Sequence, residues 1–144
     1  MKKKKSDTFL IRRISACIID YLLILIFIVV LLFFYGTSDG EGGYSLDGLP
    51  ALSVFIFWGI ITIGMEQLLG MTIGNYLNKI KPISIVNYQD KERISFSQSI
   101  KRHLLDVVDM SFLGLTGIIV IKNTKKHQRL GDLWAKTIVV SLNK

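Results

Sequence analysis

One stretch limits what this chain can become. Between Ile14 and Tyr35 the only charged residue is Asp20. At about 1.5 Å per residue, the run is long enough to cross a hydrocarbon core of roughly 30 Å. A helix of that length in a soluble core would keep a polar face, and none follows Asp20. The stretch therefore reads as a transmembrane helix. A carboxylate within it costs roughly 2.5–3.5 kcal/mol near the bilayer centre, so a partner is expected. Arg13 lies two helical turns earlier on the same face and is the expected one.

The rest of the chain agrees with a membrane setting. Half of its 144 residues are hydrophobic and the formal charge is +7. That excess could suggest nucleic acid, but the basic residues flank apolar segments and no recognition helix or aromatic-basic stripe is present. Anionic lipid headgroups are the expected partner, at about 1 kcal/mol per basic residue near the surface. Cys17 is the only cysteine, which excludes an internal disulfide and assigns it to packing. The apolar run is too long for a signal peptide and lacks a cleavage site, so it reads as a retained anchor.

Residues 1–11 carry Lys2 to Lys5 and read as a basic, disordered tail ahead of a membrane domain at 12–144. The loop Gly36 to Gly48 holds Asp39, Glu41 and Asp47 and no Lys or Arg. The positive-inside rule then puts the N-terminus in the cytoplasm and this loop outside. A second span runs from about Leu49 to Leu69, with Glu66 as its one charge. Two antiparallel helices would hold Asp20 and Glu66 at similar depth.

Beyond Gly70, Lys79, Lys81, Lys91 and Arg93 predict a cytoplasmic segment. Lys-Pro-Ile-Ser-Ile-Val and Glu-Arg-Ile-Ser-Phe read as two short strands around a polar turn. The β-branched run Thr137 to Leu142 is expected to pair with Ile83 to Val86, since a lone hairpin is marginal in water. Between them, Ser97–Val108 and Phe112–Ile121 suggest a membrane-embedded helical hairpin that leaves the C-terminus cytoplasmic. A third full span is the alternative. It would strand Lys122, Lys125, Lys126 and Arg129 outside. The fold class is thus an all-α integral membrane protein with two spans, a C-terminal hairpin and a small cytoplasmic β element.

Three separated pieces carry a resemblance. They are Arg-Arg-Ile-Ser-Ala-Cys-Ile-Ile-Asp at 12–20, Gly-Met-Thr-Ile-Gly at 70–74 after Glu66, and His-Gln-Arg-Leu-Gly-Asp-Leu-Trp-Ala-Lys-Thr-Ile-Val-Val at 127–140. Together they resemble the RDD family of small membrane proteins, named for one Arg and two Asp, which Arg13, Asp20 and Asp132 match. Arg102 and Asp109 fit a further family pattern of Arg, six residues, then Asp. Asn75 stands where members usually have Lys, and Lys136 where Gly is common. The resemblance implies a membrane domain with a suggested transport role, cation–proton exchange among the proposals.

The candidate cluster is Arg13, Asp20, Glu66, Arg102, Asp109, Arg129 and Asp132. One reading makes it a structural staple, in which Arg neutralises carboxylates so that helices keep register. The other makes it a proton- or cation-binding site. The staple is favoured for the charges themselves. Asp106 and Asp109, three apart, read as a solvated or interfacial face rather than a cation site. His103 and His127 lack a second ligand at zinc spacing and read as interfacial. Gly-Met-Thr-Ile-Gly lacks the ending of a phosphate loop and reads as helix termination or close packing. Trp134 and Tyr76 fit an aromatic belt. No catalytic motif is present, so neither an enzyme nor a metal or organic cofactor is expected. The leading function is a transport-related, multi-pass plasma-membrane protein of bacterial type that works as a homo-oligomer or with a membrane partner. The alternative is a non-transporting accessory protein whose charges serve assembly.

Overall fold

The computed structural model describes residues 2–86, 93–109, 115–124 and 126–142, with side chains from Thr8 onward except those of Val107, Asp109 and Leu115. Helix α1 spans Lys2–Tyr35. It passes through the stretch read as a disordered tail, because Lys is a good helix former and extending an existing helix is easier than starting one. Phe9 adds an anchor there, packing on a small core of Ala16, Ile80 and Val139.

Strands β1 (Thr37–Ser38) and β2 (Tyr44–Ser45) pair antiparallel at the far end of α1. The second apolar helix, Gly48–Leu69, is built from α2 (Gly48–Gly59), a π-helical turn (Ile60–Gly64) and α3 (Met65–Leu69). The Thr62 hydroxyl donates back to the Trp58 carbonyl at 2.6 Å within this distortion. Phe27 and Phe57 stack at 4.1 Å between centroids and tie the two long helices together. Both helices are long and apolar enough to span, yet their windows are only 11% and 6% buried. A soluble core helix would be mostly covered. These two present their apolar faces outward, as helices in lipid do.

Gly70 ends α3 in the left-handed region, at φ +77°, where a side chain would be strained. Helix α4 (Ile73–Leu77) follows, capped by the Thr72 hydroxyl, which accepts from Asn75 N. Strand β3 (Ile80–Ser84) pairs antiparallel with β4 (Thr137–Ser141), Ile80 opposite Ser141 and Ser84 opposite Thr137. The expected partner is therefore found, with the pairing beginning at Ile80 rather than at Ile83. The ladder extends by one bond at each end, from Ile85 N to the Lys136 carbonyl and from Leu142 N to the Lys79 carbonyl.

The expected strand Glu-Arg-Ile-Ser-Phe is a correction. Ser95 instead caps helix α5 (Phe96–Leu104) in a capping box with Gln98, a start signal that outweighs the β-branched Ile94. Helices α6 (Asp106–Asp109), α7 (Leu115–Asn123) and α8 (Leu130–Ala135) complete the chain before β4. The link between α6 and α7 lies outside the described residues, and with it the turn of the expected hairpin.

Candidate functional site

Under the two long helices, α5 packs on α8, which leads into β4, and Arg13 reaches in from α1, so that charged side chains meet in the interior. Gly131 allows a close crossing of α8 on α5. A Cβ there would overlap the Arg102 carbonyl and fall 3.0 Å from Arg102 Cα. That approach sets Asp132, fully buried, between two guanidinium groups. Arg13 Nη2 reaches Asp132 Oδ2 at 2.5 Å, and Arg102 Nη1 donates to Asp132 Oδ1. Arg129 N donates to Oδ2 as well, at 3.1 Å. Burial opposes ionisation of Asp132, but Arg102 and Arg13 outweigh it and hold the carboxyl well below its usual range. Arg13 also donates to the His127 carbonyl, and Arg102 to the Thr137 hydroxyl at 3.2 Å. One carboxylate thus joins α1, α5, α8 and β4.

A second layer continues from Arg102, whose Nη2 lies 3.1 Å from Glu66 Oε1. Glu66 Oε2 accepts from the Ser99 hydroxyl at 2.6 Å and faces His103 Nε2 at 3.2 Å. The other nitrogen, His103 Nδ1, lies 2.6 Å from Asp106 Oδ2. Asp106 Oδ1 pairs with Arg129 Nη1 at 3.2 Å, and the Tyr21 hydroxyl bonds to the same carboxylate. Burial again works against ionising Asp106, and Arg129, His103 and Tyr21 lower it regardless. His103 shows the converse. Burial disfavours its charge, but Asp106 and Glu66 push its pKa up to about 9.

Asp20 stands apart from this ladder. Its Oδ2 accepts from the Thr72 hydroxyl and its Oδ1 from Gly74 N, each at 2.7 Å. Among the described residues, no cationic nitrogen lies within 4.0 Å of it. The expected Arg13–Asp20 pair is therefore corrected: Arg13 turns to Asp132, and Asp20 is held by neutral donors. Gly74 makes this possible, because a Cβ there would overlap the Ala16 carbonyl and sit 2.9 Å from Asp20 Cγ. Beside Asp20 is a cavity of about 20 Å³, lined also by Tyr21, Thr62, Asn75, His103 and Asp106 and by the three arginines Arg13, Arg102 and Arg129. That is room for about one water molecule.

Of the predicted cluster, Arg13, Glu66, Arg102, Arg129 and Asp132 join one network, and Asp20 borders its cavity. Asp20 and Glu66 share the site without bonding each other. The side chain of Asp109 lies outside the described residues. Sequence reasoning missed His103 and Asp106, which were assigned to interfacial faces and are both buried and paired. Their i, i+3 spacing on a polar helix was the available signal. Gly-Met-Thr-Ile-Gly reads as helix termination or close packing, and Gly74 does pack closely on α1; the hold of Thr72 and Gly74 on Asp20 is what that reading lacks. Among the described residues, no group of three or more His, Cys, Asp or Glu is arranged to hold a metal ion.

Two outward-facing apolar helices over a buried charge network define a small integral membrane protein. The RDD family pattern matches residues 8–136, and the chain belongs to the RDD family. No curated protein and no solved structure matches it significantly.

Proposed function

We propose that the chain is a transport-related protein of the plasma membrane that binds a proton or small cation at the cavity beside Asp20. The observation that carries this is a largely buried carboxylate that, among the described residues, is held by neutral donors and borders a cavity. Charges committed to structure are paired, as Asp132 is. A carboxylate without a fixed countercharge is the one placed to accept a mobile one. The Arg13–Asp132–Arg102–Glu66 ladder is then the staple, and Asp20 the working group. Two spans are too few to enclose a pathway, so transport requires a homo-oligomer or a membrane partner. The reading involves neither enzyme chemistry nor nucleic acid.

Reconstituted flux tests it. Asn at position 20 can accept from Gly74 N and donate to Thr72 Oγ1, so Asp20→Asn should insert at wild-type yield. In proteoliposomes the variant should lose most Na⁺, K⁺ or H⁺ flux relative to wild type. Full flux in Asp20→Asn would remove Asp20 from the reading. Wild-type liposomes inert to all three ions would favour the accessory role instead.

The orientation belongs to the same proposal, with both termini cytoplasmic and the basic flanks against anionic headgroups. In its support, Arg12 Nη1 lies 3.4 Å from Ser141 Oγ, so the N-terminal flank and the last strand share one end of the helix pair. A Ser141→Cys change in a Cys17→Ser background should stay unlabelled by an impermeant external thiol reagent. Labelling from outside would refute this orientation.

A further inference from the structure

A surface helix in water buries its apolar side and leaves its charged side wet. The short helices that follow the second span do the reverse. Along α5, Phe96, Ile100 and Leu104 recur every four residues and so form one stripe. Phe96 and Leu104 are 60% and 54% exposed, with Ile100 half-buried between them, whereas Ser99, Arg102 and His103 are buried. In α8, Asp132 is buried while Leu133 and Trp134 are exposed. In α4, Asn75 is buried while Tyr76 and Leu77 are exposed. Three helices are thus turned inside out, with polar groups gathered inward and apolar groups outermost.

Their height along the spans points to what covers them. Helix α4 meets α1 at Ala16 and Asp20, within the apolar stretch that begins at Ile14. Helix α5 meets Glu66 through Ser99 and Arg102, and it packs further along the second helix on the π-helical turn. Just beyond it, Asp106 receives the Tyr21 hydroxyl, and Tyr21 is about 10 Å along the apolar stretch from Ile14. So α4 and α5 are level with the ends of the spans. Their outward faces continue those of Leu68 and Leu69, the exposed residues that end the second helix. Helix α8 sits lower, where Asp132 meets Arg13 just before the apolar stretch begins.

We propose that lipid covers these faces. Helices α4 and α5 lie in the acyl region of the leaflet around the start of α1, and α8 lies at its headgroups with Trp134 as the anchor. The charge network then needs no second protein as a lid, because apolar residues on its own helices screen it from the chains. Lys79, Lys101 and Lys136 each stand within two residues of an outward apolar side chain. Their long stems let the ammonium groups reach the headgroups, and anionic lipid suits that rim. The stretch after Gly70, expected in the cytoplasm from its lysines, thus starts in the leaflet and leaves it near Lys79. The inference rests on the membrane setting, and not on transport or on which leaflet is the inner one.

The test uses the full chain in vesicles of mixed zwitterionic and anionic phospholipid. Trp58 and Trp134 are the two tryptophans, so Trp58→Phe isolates the indole of α8. Its emission should be blue-shifted from that of an indole in water. Lipids spin-labelled near the headgroup should quench it more than lipids labelled at the chain end, placing it within about 5–10 Å of the headgroup–acyl boundary. Leu104→Trp, with both native tryptophans changed to Phe, should lie deeper. Quenching of Trp134 by aqueous iodide and not by labelled lipid would overturn the proposal. Protection from both would overturn it too, in favour of a protein cover such as a second copy. A nitroxide on Tyr76→Cys in the Cys17→Ser background gives an independent reading for α4. It should collide more with oxygen, which partitions into lipid, than with a water-soluble nickel chelate. The same label on Val29→Cys, an exposed position midway along α1, is the control. Preference for the chelate at Tyr76 alone overturns the proposal, and preference at both positions overturns the membrane setting with it.

Discussion

Asp132→Asn should destabilise the folded protein by about 3–5 kcal/mol, the largest loss expected from any single charge removal here. The carboxylate lies between Arg13 and Arg102, and Arg102 keeps Glu66 when Asp132 is neutralised. Among the described residues Arg13 then keeps only the His127 carbonyl, so a buried guanidinium is left without a countercharge there. Adding Arg13→Gln should then recover more than half of the loss, because the stranded charge is gone. Asp20→Asn, whose partners are a hydroxyl and a backbone amide, should cost only about 1 kcal/mol. Unfolding in a common detergent, by denaturant series, ranks the three variants. Equal stability of Asp132→Asn and Asp20→Asn would contradict the division between staple and working carboxylate.

Gly74→Ala should cost about 2–3 kcal/mol, and this loss comes from shape rather than charge. The added carbon would overlap the Ala16 carbonyl, which is backbone and cannot rotate away, and would press on Asp20 Cγ at 2.9 Å. Moving α4 off α1 also lengthens the Gly74 N–Asp20 bond, so loss of flux should accompany loss of stability. Gly59→Ala is the control. Nothing lies within 4 Å of a Cβ there, and Ala favours a helix interior over Gly by roughly 0.5–1 kcal/mol. Thermal unfolding of both variants separates the cases, and a stable Gly74→Ala protein would mean that α1 and α4 do not pack this closely.

What the sequence disclosed and what it hid follow from the range of each signal. The two long helices were legible because stretches such as 14–35 and 49–69, each with one charged residue, have few other uses. The pairing of β3 with β4 was legible because each β-branched run needs a partner for its backbone. Partner choice among charges was not. Arg13 and Asp20 share a helical face, and local spacing favoured that pair, yet Arg13 bonds a carboxylate 119 residues away. Only the close approach permitted by Gly131 brings Asp132 there, and nothing in the spacing of residues reports it. His103 and Asp106 were misjudged for a related reason. Polar residues on a short helix look solvated until the other elements that cover them are in place. The family resemblance pointed to Arg13, Asp20 and Asp132 without revealing which of them bond.

The Arg13–Asp132 bond also sets an order of events during synthesis. The first long helix enters the bilayer while residue 132 has yet to be made, so Arg13 meets the interface without its anion. Arg102, too, emerges before Asp132, although Glu66 precedes it. Chains are built from the N-terminus, and early segments settle first. Here the early segments settle around a vacancy that α8 later fills, and β4 then closes onto β3. Completion of the interior thus waits until residue 132 has been made. A nascent protein halted before residue 132 would hold its spans in the membrane but leave their shared interior open to quality-control proteases.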